Sequence, residues 1–242
     1  MVTVLTPASV TAADLGEVSR DYSLNRIPCP QNCCRATKPS GMLGPFYVVL
    51  GRHCSKQVLN LGKQASEQAV KAMDLSGFKV LAFATHGLVP GELNGLSQPA
   101  LALSSPTVTG GDGDGLLTME EILGLKLDAD WVVLSACNTG TGAGAGAEAA
   151  SGLGRAFFYA GTRALLVTNW SVHSQSAREL VTDLFRRQAQ DPKLTRGEAL
   201  RQATIALIDG PGYAGADGKT EFAYAHPLFW APYTIIGDGG VR

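Results

Sequence analysis

The chain has 242 residues, 45% hydrophobic and 17% charged, with a formal net charge of −1. That size and apolar content suit one sizeable globular domain, while the near-neutral balance supplies neither a basic field for nucleic acid nor a polybasic patch for membranes. The five cysteines are an odd number, and Met1 to Gly16 lacks the charged and apolar regions of an export signal, so free thiols in a reducing cytoplasm are expected.

Residues 1–57 carry no convincing period and read as an irregular N-terminal segment, in which Phe46 to Leu50 alone suggests a strand. Cys29, Cys33 and Cys34 form no C-x-x-C pair and have no histidine at matching spacing, which argues against zinc. From residue 58 onward a single domain is expected. Ala65, Ala69 and Met73 recur at helical spacing, with Glu67 four residues before Lys71. Val80 to Ala84 then reads as an apolar strand, ending in Thr85-His86-Gly87. Pro90, Gly91, Gly95 and Pro99 mark a loop over 88–99, and Ala100 to Leu103 suggests another short strand.

The stretch Thr109 to Glu121 can be set in a calcium-loop frame, with Asp112, Asp114, Gly115 and Glu121 in register. Gly110 falls at the first ligand position and offers no side-chain oxygen, and no amphipathic helix leads in. Thr118-Met-Glu-Glu121 is better read as a capping box that opens a helix.

Trp131-Val-Val-Leu134 is short, uncharged and β-branched, as befits a strand buried on both faces. Cys137 follows its end, and a Gly/Ala loop extends from Thr139 to Ala147. That loop has no G-K-[ST] or strand-borne G-x-G-x-x-G, so it is a poor phosphate cradle. Ala149, Leu153, Ala156, Phe157 and Ala160 predict a helix that stops at Gly161, and Ala164 to Thr168 a third strand, ending in Asn169-Trp170. Arg155, Arg163 and several glycines interrupt this apolar region, which excludes a membrane span there.

Ala177, Leu180, Val181, Leu184 and Phe185 keep helical spacing. Thr195-Arg-Gly-Glu198 reads as a second capping box, opening a helix to about Ile208. Residues 211–227 form a loop, and Phe229 to Ile236 a last strand in which Pro232 points to an edge or a bulge. Strands alternating with helices imply an α/β fold, a mostly parallel sheet with helices on both faces.

In such sheets ligands gather at the carboxyl edge. A thiol at one strand end and an imidazole at another suggest Cys137 as nucleophile and His86 as base, because imidazole promotes ionisation of the thiol. Neighbouring parallel strands would set them roughly 5 Å apart per strand step. Amides of Gly87 and Cys137 could hold an oxyanion. The competing reading is a small buried cysteine and a hydrogen-bonded histidine. His53, His173 and His226 are rivals, but none follows a strand in the same way; Ser135 lacks a G-x-S-x-G elbow.

Phe83-Ala-Thr-His-Gly87, Asp114-Gly-Leu-Leu-Thr118, Val133-Leu-Ser-Ala-Cys-Asn-Thr-Gly140, Gly152-Leu-Gly-Arg-Ala-Phe-Phe-Tyr-Ala-Gly161 and His226-Pro-Leu-Phe-Trp230 together resemble the CHAT domain family. The resemblance spans residues 58–240 and implies a caspase-hemoglobinase-like fold. It also implies cysteine endopeptidase chemistry on protein or peptide substrates, with His86 as base, Cys137 as nucleophile, the Gly87 and Cys137 amides at the oxyanion, and no cofactor. By the same resemblance Asn169 and Trp170 wall a substrate pocket, and the setting is a bacterial cytoplasm. Gating by a partner with tetratricopeptide repeats, or by repeats missing upstream, is a further implication, and the N-terminal quarter then reads as the truncated start of a longer protein. The alternative is a catalytically idle module serving protein interaction. Two departures stand out: the family's W-P-V-D reads Trp170-Ser-Val-His173, and its G-E-G reads Ala147-Glu148-Ala149.

Overall fold

The computed structural model describes residues 47–52, 56–134, 145–170, 172–215 and 218–241. In chain order, β1 (Tyr47–Arg52) and β2 (Lys56–Leu61) precede α1 (Glu67–Ala72) and β3 (Val80–Ala84). Next come β4 (Gly87–Leu88), β5 (Ala100–Ala102), α2 (Pro106–Thr109), β6 (Leu116–Thr118), α3 (Met119–Leu123) and β7 (Trp131–Leu134). Then follow α4 (Ala145–Tyr159), β8 (Ala164–Thr168), α5 (Ser174–Gln190) and α6 (Arg196–Ile208). The short strands β9 (Tyr213–Ala214) and β10 (Thr220–Phe222) precede β11 (Tyr233–Gly237).

The main sheet runs β11-β8-β7-β3-β1-β2. Its centre, β3-β7-β8, is parallel, whereas β11 and β1 pair antiparallel with their inner neighbours. β2 is antiparallel to β1 and so shares the direction of β3. The sheet is therefore mixed α/β with a mostly parallel centre, and it extends upstream of residue 58 to Tyr47. Pro232 stands just before β11 on the outer edge, where its missing N–H costs no ladder bond.

Period-two alternation divides the central strands between two cores. Leu81, Phe83, Val132, Leu134, Leu165 and Val167 face one core, beside Val70, Ile122, Leu153 and Phe157 of α1, α3 and α4. Ala82, Trp131, Val133, Ala164 and Leu166 face the other, beside Ala177, Leu180, Leu184, Ala199 and Ala203 of α5 and α6. Helices therefore cover both faces of the sheet, as expected. Phe83 meets Phe157 with ring centroids 5.5 Å apart, and full burial of such a side chain stabilises by about 1.5–3 kcal/mol.

Local signals end the elements. Gly161 has φ +111, and a Cβ there would lie 2.2 Å from the Leu127 carbonyl oxygen, so only glycine fits the turn from α4 into β8. The Thr118 capping box forms with both reciprocal bonds. At Thr195 only half of the expected box is present: Oγ1 accepts from the Glu198 N–H. The Glu198 carboxylate is taken instead by Arg201 and Gln202, a stronger charge-assisted partnership than a backbone amide offers. Arg196, fully buried, donates through Nη1 to the carbonyls of Asp238, Gly240 and Val241 and lies over the Trp131 ring at 5.6 Å. Residues 238–241 are thereby bound to the start of α6.

Candidate functional site

β3, β7 and β8 are adjacent and parallel, so their carboxyl ends lie on a single edge of the sheet. His86 follows β3, and Asn169 and Trp170 follow β8. Cys137 follows β7 in sequence but lies outside the described residues. In the β3–β7 ladder Phe83 is the partner of Leu134. His86 is the third residue beyond Phe83, and Cys137 the third beyond Leu134.

His86 is half-buried, and its Nε2 is buried with no hydrogen-bond partner among the described residues. Its backbone is firmly placed. The His86 carbonyl accepts from the Ala102 N–H at 2.9 Å, and the buried Thr85 hydroxyl donates to the Ala102 carbonyl. Immediately afterwards β4 pairs with β5, Gly87 opposite Leu101. His86 and Ala102 thus form a hydrogen-bonded pair, which makes Gly87 and Leu101 a non-bonded one. The Gly87 N–H consequently points away from β5, and β4 is an outer strand of the small sheet β4-β5-β6. Among the described residues no strand pairs with this outer edge, and an amide so directed can donate to an incoming oxygen.

The small sheet is itself anchored. Ser104 donates its N–H to the Ala65 carbonyl and its hydroxyl to the Gly62 carbonyl. Lys71 bridges Glu67 of α1 and Glu121 of α3, and these two carboxylates hold its ammonium pKa well above the usual lysine range. Two members of the calcium frame are engaged elsewhere: Glu121 serves Thr118 and Lys71, while Asp114 Oδ1 accepts from the Leu116 N–H. Among the described residues no cluster of His, Cys, Asp and Glu is arranged to hold a metal.

On the β8 side, the two expected pocket residues differ. Asn169 Nδ2 donates to the Pro232 carbonyl and to Thr234 Oγ1, at 3.1 and 2.8 Å, and its N–H also donates to Pro232. Its side chain therefore ties β8 to the approach of β11. Trp170 stays 37% exposed, its indole N–H reaching the Leu228 carbonyl at 3.4 Å. Leu228 is 52% exposed, and its chain neighbour Phe229 stacks on Phe222 at 5.3 Å.

The rival histidines have other work. His173 is the N-cap of α5, Nδ1 accepting from the Ser176 N–H. Aspartate commonly fills that position, so the acid-to-histidine departure preserves a cap. Tyr213, Phe222, Tyr224 and Phe229 surround the ring at 5.6–5.8 Å, and burial pushes its pKa down. His226 Nδ1 accepts from the Leu228 N–H within its own turn, and His53 lies outside the described residues. Sequence reading missed β2, β4 and this aromatic cluster; the spacing of Tyr213, Phe222, Tyr224 and Phe229 through a loop follows no regular period.

No described helix is long and apolar enough to cross a membrane. The family model of the CHAT domain matches residues 47–238, from the first residue of β1 to just beyond β11. No curated protein matches the chain.

Proposed function

The chain belongs to the CHAT domain family, a family related to cysteine peptidases, and on that premise we propose that it is a cysteine endopeptidase with a Cys137–His86 dyad. In this reading the Cys137 thiol gives its proton to the His86 imidazole, and the thiolate attacks the scissile carbonyl carbon. A C–S bond forms while the carbonyl π pair moves onto oxygen, where the Gly87 and Cys137 amides donate to it. Collapse expels the amine, which takes its proton from the imidazolium. Water, deprotonated by His86, then hydrolyses the thioester and frees the carboxylate and the thiol.

The observation that carries the reading is the ladder register: Phe83 faces Leu134, and the imidazole and the thiol belong to residues equally far beyond that pair. The outward Gly87 amide supports the same reading independently. On the β8 side, Trp170 supplies exposed apolar surface for a substrate side chain, while Asn169 positions the backbone that carries it.

Labelling with a thiol-directed peptidyl probe tests this. The wild type is expected to label, Cys137→Ala not at all, and His86→Ala far more slowly. Equal labelling in all three would leave a non-catalytic interaction module.

A further inference from the structure

We propose that Thr85 is the positioning residue of His86, a role that rests on reading His86 as the base. A histidine base is ordinarily oriented by a third group that accepts from its second ring nitrogen. Here Nε2 meets no such group among the described residues. The backbone that carries the imidazole, by contrast, is held from a single residue of β5. Ala102 donates its N–H to the His86 carbonyl and accepts the Thr85 hydroxyl on its own carbonyl.

Turning the chain at Thr85 and His86 therefore breaks two bonds at once. Thr85 is 2% exposed, so removing its hydroxyl takes a largely buried hydrogen bond from the Ala102 carbonyl. Its β-branched side chain is also stiff at χ1, which keeps the hydroxyl aimed. β5 does not drift either, since it pairs with β6 and its continuation is tied at Ser104 to Gly62 and Ala65. Through this chain the ring is referenced to the small sheet, with Thr85 as the side chain that completes the link.

The test measures alkylation of the Cys137-containing peptide by iodoacetamide across about pH 5 to about pH 10, read by mass spectrometry, for wild type, Thr85→Ser, Thr85→Val, Thr85→Ala and His86→Asn. Each alkylation joins the thiolate to carbon and releases iodide, so its rate reports the thiolate fraction. His86→Asn is expected to move the profile toward an ordinary thiol, near pH ~8.5. Thr85→Val and Thr85→Ala are expected to shift it the same way by about one pH unit, about tenfold in rate on the rising limb. Thr85→Ser, which keeps the hydroxyl, overlays the wild type.

A merely structural threonine would lower the unfolding midpoint of the Val and Ala variants and leave their alkylation profiles in place. Should Val fail to fold by circular dichroism, the smaller Ala is read in its stead. If His86→Asn moves the profile and the Val and Ala variants do not, the role of Thr85 is refuted and the dyad stands. If His86→Asn overlays the wild type, the dyad and the role of Thr85 fall together.

Discussion

On one side of β7, His86 leaves the sheet gripped by directional bonds: the Ala102 N–H, the Thr85 hydroxyl, and a small sheet tied down at Ser104. On the other side, Asn169 and Trp170 follow β8, and the exposed Trp170 indole reaches Leu228, one residue before Phe229 of a ring cluster in which Phe222 stacks between Tyr213 and Phe229. Hydrogen bonds specify angles, and apolar contact specifies area without direction. A group that must transfer a proton needs the first kind of support, and a surface that receives varied side chains works with the second. The proposed base and the proposed recognition surface thus rest on different kinds of support.

Breaking the histidine shoulder has the largest expected effect. On a peptide that the wild type cleaves, His86→Ala lowers kcat by about 10²–10⁴-fold, the usual worth of a positioned acid–base group; an unchanged kcat would dissolve the contrast. Trp170→Ala, on the opposite shoulder, raises KM by about tenfold and leaves kcat nearly intact, in keeping with about 1–3 kcal/mol for an apolar pocket contact. A fall in kcat alone would mean that this shoulder also orients the reacting groups.

Two smaller effects sharpen the picture through stability. Thr118→Ala breaks the reciprocal cap that joins β6 to α3 and costs about 0.5–2 kcal/mol in denaturant unfolding. His173→Asn carries a pH-dependent effect that is confined to acid. Burial lowers the folded-state pKa of His173, and the positive end of α5 acts in the same direction. Below the ordinary value of about 6.5 the unfolded chain therefore binds more protons, and stability falls with pH until the folded-state pKa is passed. Asparagine can still cap and does not titrate, so melting curves from about pH 5 to about pH 7.5 should lose that slope; an unaltered slope would assign it to other groups.

The sequence announced the parts whose physics is local. Val80–Ala84, Trp131–Leu134 and Ala164–Thr168 are strands because unbroken apolar runs are bounded by turn residues. The Thr118 box formed because its two partners lie on one turn. The second box formed by half, since Arg201 and Gln202 compete for Glu198 on the same helix, a contest that the four-residue motif does not contain. β2 and β4 were missed for a different reason. Gly87–Leu88 is too short to show a period and becomes a strand through Leu101 and Ala100, while Lys56–Leu61 is stabilised by β1 across a hairpin. Of the site, His86 and Gly87 could be picked out as a strand-end pair. The outward turn of the Gly87 amide could not, because it depends on which residue of β5 pairs with His86.

The pairing of β11 with β8 carries an implication for biosynthesis. Asn169 finds its acceptors at Pro232 and Thr234, 63 and 65 residues later in the chain. As the nascent polypeptide leaves the ribosome, His86 and Cys137 emerge well before the strand that braces Asn169. On the reading proposed above, the site is not complete until translation has passed Thr234.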